Sequence, residues 1–145
     1  MARVEAVCIS DRKGVVKKAV SQVELRTQWG IESDAHAGKW HRQVSLLAGE
    51  SIDQVKEILP ELEQGAFAEN IITRGLDLAA LPLGSRLRIG ATAELEITQI
   101  GKECHNIGCA IKRATGDCIM PREGIFARVV TGGTVTAGDE IVRLS

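Results

Sequence analysis

Apolar positions along this chain come in short segments of roughly 5 to 8 residues, broken repeatedly by glycine, a rhythm that predicts strands joined by tight turns. The cleanest alternation is Glu94-Leu95-Glu96-Ile97-Thr98-Gln99-Ile100, where Leu95 and Ile97 sit between polar neighbours at period two. One face of that strand is expected to be wet. Val4, Ala6 and Cys8 alternate only loosely with Arg3, Glu5 and Val7, as in a strand covered on much of both faces. Leu83–Ile89 and Ala137–Val142 share a grammar in which a glycine and a small polar residue turn the chain into a strand. Ile125–Val130, closed by Gly132-Gly133, reads as another strand and turn. Many short strands in one chain predict a mostly β, barrel-like fold, in which closure would remove exposed edges.

One segment departs from this rhythm. Ile52, Val55, Ile58 and Leu59 recur at helical spacing, with Lys56 and Glu57 off that face. Ser51 and Gln54 have the spacing of a capping box, which predicts a main helix beginning at Ser51 and ending near Gly65. Any other helices are expected to be short accessories.

Composition narrows the class without naming it. The 145 residues suit a single domain, 1–145, and 44% hydrophobic with 26% charged residues is ordinary for a globular chain. A net charge of -1 and 3% aromatic residues offer neither the field nor the stacking surfaces that nucleic acid requires. No run approaches the roughly 18 apolar residues of a membrane span, and the N-terminus lacks the apolar core of a signal peptide. A cytoplasmic location is the expectation, so Cys8, Cys104, Cys109 and Cys118 are read as thiols or ligands rather than a disulfide framework.

Two blocks concentrate the chemistry. Asp34–Gln43 holds Asp34, His36, Lys39, His41 and Arg42 among the small residues Ala35, Ala37 and Gly38, which would let a ligand approach the backbone closely. A polar loop whose histidines satisfy their own hydrogen bonds is the plainer reading of the same residues. The second block, Gly101–Arg113, holds Lys102, Cys104, His105, Cys109, Lys112 and Arg113, with Cys118 close behind. Cations beside a thiol favour the nucleophilic, metal-binding thiolate. A structural zinc is the rival, weakened by the four-residue gap between Cys104 and Cys109 and by the adjacency of Cys104 and His105. A third possibility is that Cys109 and Cys118 are small buried hydrophobes.

These blocks resemble a known family. Asp34–Gly38 followed by His41–Leu47, then Phe67-Ala68-Glu69-Asn70-Ile71, then Cys104–Cys109, then Cys118–Val129, is similar in content and order to the molybdenum-cofactor sulfurase C-terminal (MOSC) domains, in particular the small stand-alone bacterial type. Where that family carries a glycine before the aspartate, this chain has Ser33. The resemblance implies a β-barrel-like MOSC fold and a pocket lined by Asp34, His36, His41, Arg42 and Asn70. It places the working cysteine on Cys109 or Cys104, and Cys109 is favoured because an apolar segment follows it. Cys109 would then be the molybdenum ligand or the persulfide carrier.

Molybdopterin is anionic, so Arg42, Lys39 or Lys112 would supply its counter-charge, while His36, His41 or His105 could tune protonation. The implied function is a sulfur carrier or sulfurtransferase acting on the molybdenum cofactor. Alternatives are a non-catalytic cofactor-binding or delivery module, or an oxidoreductase component served by an external electron donor. A sulfur-donating desulfurase or a molybdoenzyme would be the protein partner. Pyridoxal phosphate is not expected.

Overall fold

A computed structural model describes residues 2–12, 15–101 and 124–144. The strands are β1 (Arg3–Ile9), β2 (Lys18–Val20), β3 (Gln22–Arg26), β4 (Gly30–Ile31), β5 (Val44–Ala48), β6 (Ile71–Arg74), β7 (Arg86–Ile89), β8 (Ala93–Ile100), β9 (Ile125–Thr131), β10 (Gly133–Thr136) and β11 (Ile141–Arg143). A helix, α1 (Gly49–Lys56), and a short 3-10 turn, Leu78–Ala80, complete the described elements.

Eight strands form one sheet in the order β11-β7-β8-β9-β5-β6-β1-β2, and three form a second in the order β10-β3-β4. The mostly β expectation holds, but the barrel does not: both sheets are open among the described residues. The edge strand β11 is followed back to β1 only by an isolated bridge, Arg3 to Glu140, supported by backbone bonds such as Val4 N–H to the Asp139 carbonyl at 2.8 Å. Strands as short as β11 leave little ladder with which to close a barrel.

Hydrophobic patterning explains the layering. β5 and β6 run parallel, with Leu46 paired to Ile71 and Leu47 to Ile72. Leu46 and Ile71 face the large core with Val4, Val7, Leu95 and Ile97, while Leu47 and Ile72 face a smaller core under α1. A central strand covered on both faces loses its period-two signature and reads as a continuous apolar run. β8, by contrast, alternates buried and half-buried positions from Ala93 to Thr98, as its sequence predicts. Val23, Leu25, Ile31 and Val135 of the small sheet pack into the large core as well.

The helix differs from its predicted limits. It starts at Gly49, capped by Ala48 without a side-chain hydrogen bond, so the Ser51–Gln54 capping box is not formed. Ser51 lies inside the first turn and is buried there. The helix ends at Lys56 rather than near Gly65, because Pro60 disfavours helical geometry at Leu59 and the chain turns before it. Ile52 and Val55 make the buried stripe, each contributing about 1.5–3 kcal/mol of burial, while Ile58 is left exposed. Arg74 of β6 ties the helix down by pairing with Asp53 at 2.7 Å and Glu5 at 2.5 Å.

Candidate functional site

The loop that connects β4 to β5 carries the first of the two chemical blocks, and a buried ion pair shapes it. Lys17 Nζ donates to Asp34 Oδ1 at 2.8 Å, and both side chains are fully shielded from solvent. The same ammonium reaches Ser10 Oγ at 3.0 Å and His36 Nδ1 at 3.1 Å. Asp34 also accepts from the backbone N–H of Ser10 at 3.1 Å and of His36 at 3.0 Å. The carboxylate therefore joins the end of β1, the Lys17 segment and the loop itself. The bond to the N–H two residues on is the Asx-turn habit of aspartate. Ser33, standing where the family has glycine, takes a φ of 70° in the left-handed region.

Beyond Asp34 the loop is held by aromatic and amide contacts. Trp40 Nε1 donates to the His36 carbonyl at 2.8 Å, and the two rings lie parallel with centroids 6.4 Å apart. The His41 ring meets Trp40 edge-on at 6.1 Å. Ala37 packs on Gly30, where an added Cβ would come within 3.1 Å of the Ala37 Cα. The smallness of Ala37 thus serves the fold of the loop, whatever it also allows a ligand. Lys39 and His41 are exposed, and Arg42 is half-buried with its guanidinium carbon 5.2 Å from the Phe126 ring centre.

Gln99 links this loop to the far end of β8. Its Oε1 accepts from His41 Nε2 at 2.8 Å and from Arg42 Nε at 3.0 Å, while its amide donates to the Gly101 carbonyl at 2.7 Å. Thr98 Oγ1 donates to the His41 carbonyl. Gly101 N–H in turn bonds the Gly124 carbonyl at 2.6 Å. Among the described residues no carboxylate pairs with Lys39, His41 or Arg42.

Not every predicted residue faces outward. Asn70 is fully buried, and its Oδ1 accepts from Ser45 N–H at 3.0 Å while its amide donates to the Cys8 carbonyl at 3.0 Å. Its side chain fastens β1 to β5. Beside it, Glu69 is also fully buried and accepts from Gly65 N–H at 3.0 Å and Phe67 N–H at 2.9 Å. Burial pushes this carboxyl above the usual glutamate range, against those backbone donors and the Lys17 charge. Burial likewise pushes the Cys8 thiol up to about 12, with the Glu69 charge adding to it. Cys8 is a free, buried thiol.

Sequence reasoning brought together Asp34, His36, Lys39, His41 and Arg42, and they do share one loop. It missed Lys17, Gln99 and Glu69. A lysine in Val-Val-Lys-Lys-Ala-Val reads as the wet side of a strand, and nothing local distinguishes Lys17 from Lys18. Cys104, His105, Cys109, Lys112 and Cys118 lie outside the described residues. Among the described residues no cluster of three His, Cys, Asp or Glu side chains is placed to hold a metal ion. A cleft of about 300 Å³ beside α1, lined by Glu50, Ser51, Leu76 and Asp77 among others, contains none of the predicted site residues. No helix among the described residues is long and apolar enough to cross a membrane.

Fold and loop together are those of a recognised class. The family model for the MOSC domain matches residues 33–142, and the chain belongs to that family. It is a family commonly associated with molybdenum-cofactor binding. Among solved structures the chain is similar to the YuaD protein of Bacillus subtilis, with a TM-score of 0.80 and 23% identity over 97% of this chain and 94% of that one. It is also similar to YiiM from Geobacillus stearothermophilus, with a TM-score of 0.73 and 17% identity over 100% and 76% of the two chains. YiiM from Escherichia coli gives a TM-score of 0.70 and 21% identity over 99% and 70%. At these identities the likeness concerns the fold. A search of the curated proteins returned no significant match.

Proposed function

We propose that this chain binds the molybdenum cofactor where the 34–43 loop meets the end of β8, with Cys109 or Cys104 as the thiol that carries sulfur or ligates the metal. One observation carries the reading. Gln99 holds His41 and Arg42 against the two glycines, Gly101 and Gly124, between which the cysteine-bearing stretch is inserted. Cys104 follows Gly101 by three positions in the sequence. This supports a common rim for the two blocks, which stand some seventy positions apart in the sequence.

The donor set suits an anionic ligand. Arg42 spends its Nε–H on Gln99, and its terminal N–H groups have no partner among the described residues, which leaves the planar fork that matches phosphate oxygens. Lys39 adds an exposed ammonium on the same loop, and Lys112 would add another from the cysteine block. When bound, the cofactor supplies the molybdenum and its sulfur ligands. The protein's part is to hold the phosphate end, orient the pterin against the loop, and present a thiol kept as thiolate by neighbouring cations. Asp34 and Asn70 act from beneath, by fixing the loop and the strands that carry it. The partner class is a protein that donates sulfur or receives the finished cofactor.

Native mass spectrometry of freshly purified protein tests this directly. A molybdopterin adduct, or a gain of one sulfur on Cys109 or Cys104, is the expected result. Arg42→Ala should weaken pterin binding about tenfold or more, since a charge-assisted hydrogen-bond pair is lost. Protein that carries zinc alone and shows no affinity for the cofactor refutes the reading.

A further inference from the structure

We propose that a β-bulge at Thr98 makes Gln99 a positioning residue: its side-chain carbonyl takes the Nε–H of Arg42 without cancelling the charge, so the guanidinium meets a phosphate group end-on, through its two terminal nitrogens. The inference rests on the anion-binding reading of the 34–43 loop. It deepens that reading by stating which edge of Arg42 is offered and what holds it there.

Strict alternation would send Gln99 into the core. Ala93, Leu95 and Ile97 are buried at period two, and Gln99 is next in that series. The ladder between β8 and β9 slips at that point. Ile97 stands opposite Ala127 and Gln99 opposite Phe126, so Thr98 is an extra residue on β8. A bulge of this kind bends the strand and re-aims the side chain that follows. Thr98 fastens it, with Oγ1 donating to the His41 carbonyl and lying 3.2 Å from the Phe126 carbonyl. Gln99 emerges half-buried, aimed at the 34–43 loop instead of the core.

Three contacts fix which way the amide points. Oε1 lies 2.8 Å from His41 Nε2 and 3.0 Å from Arg42 Nε, while Nε2 donates to the Gly101 carbonyl at 2.7 Å. A flipped amide would set N–H against the Arg42 N–H and carbonyl against the Gly101 carbonyl. A guanidinium has two edges that can grip a pair of oxygens: Nε with one terminal nitrogen, or the two terminal nitrogens together. Gln99 occupies the first edge. The terminal N–H groups have no partner among the described residues, and the Phe126 ring, 5.2 Å from the guanidinium carbon, supports the group from one face. An amide suits this task because it is neutral. A carboxylate in its place would accept the same Nε–H but cancel the charge meant for the ligand. Gln99 itself touches no ligand and acts through Arg42.

Arginine side-chain proton–nitrogen spectra of the 15N-labelled protein, titrated with inorganic phosphate, test this. The Arg42 Nε–H of the wild type should exchange slowly with water, and phosphate should move the terminal N–H signals of Arg42 much more than the Nε–H signal. A fast-exchanging Nε–H, or a larger shift at Nε than at the terminal nitrogens, overturns the end-on geometry. The wild-type spectrum decides this even where a variant fails to fold. Gln99→Leu removes the acceptor and should weaken phosphate binding about threefold to tenfold. Gln99→Glu should keep the Nε–H in slow exchange and yet bind phosphate more weakly than Gln99→Leu, about tenfold or more below wild type. A merely structural glutamine gives the opposite order, since the carboxylate restores an acceptor that leucine lacks; that order overturns the role of Gln99. Phosphate that binds Arg42→Ala as well as wild type overturns the anion-binding reading of the loop and this inference with it. Binding that depends on Arg42 but is unchanged in both Gln99 variants overturns the inference alone.

Discussion

Replacing Asp34 by Asn removes one charge and changes the shape of the side chain very little, so its effect isolates the buried ion pair. In the native protein the Lys17 ammonium and the Asp34 carboxylate are both fully shielded at 2.8 Å. After substitution the ammonium keeps Ser10 and His36 but loses its counter-ion, in a place water does not reach. Breaking a buried pair from one side costs about 3–5 kcal/mol, because the desolvated charge left behind is no longer compensated. For a chain of 145 residues that corresponds to a fall in Tm on the order of 10–15 °C. Urea denaturation gives the free energy, and the double variant with Lys17→Met supplies the control. Removing both charges should restore part of the loss, with a coupling of about 2 kcal/mol or more. A loss below about 1 kcal/mol for Asp34→Asn alone, the level of an exposed pair, would refute the reasoning.

Four further outcomes follow from the same structure. Gly65→Ala should destabilise by about 3 kcal/mol or more in urea, since position 65 has a φ of 90° and an added Cβ would stand 2.0 Å from the Lys17 carbonyl oxygen; a near-neutral result would mean that the Lys17 segment is not packed there. Ser33→Gly should raise Tm modestly, by up to about 1 kcal/mol of stability, because the left-handed conformation at φ 70° is strained for serine; a clear loss would show that the Ser33 side chain does something its backbone does not reveal. Cys8, with its thiol pushed from 9.0 to about 12, should resist iodoacetamide at pH 8 until the protein is unfolded. Because its folded value is the raised one, stability should hold below about pH 9 and decline as pH climbs towards 12, a decline that Cys8→Ala should flatten in denaturation curves taken across that range.

Strands that are wet on one face were legible in the sequence. Leu95 and Ile97 alternate because β8 has one face in the core, and Gly84 and Gly138 mark turns because both take positive φ. Strands buried on both faces were not: nothing in Val44–Ala48 or Ile71–Arg74 says that the two pair in parallel, since their apolar runs carry no period. Ser51 looked like a cap, but the helix grows directly out of β5, and tertiary packing moved the cap three positions earlier, to Ala48. In the site, the loop residues were visible because their chemistry is crowded into one stretch. Lys17, Glu69 and Gln99 were not, since each is ordinary among its neighbours and acquires its role through partners 17 to 58 positions away or through a turn of the backbone.

The position of β9 has a consequence for how the chain is made. It lies between β8 and β5, pairing with both, so the strand that unites the two halves of the large sheet is supplied by residues Ile125–Thr131. Until those residues have left the ribosome, β5 has one open edge and β8 another, each a row of unpaired backbone N–H and C=O groups. A nascent chain that has formed β1 to β8 is thus two sheet fragments with sticky borders, and neither can be completed by local pairing. Stalling before Ile125–Thr131 have emerged should favour aggregation or chaperone capture, seen as a larger captured fraction of nascent chain, whereas once they are outside the missing strand can slide into its slot.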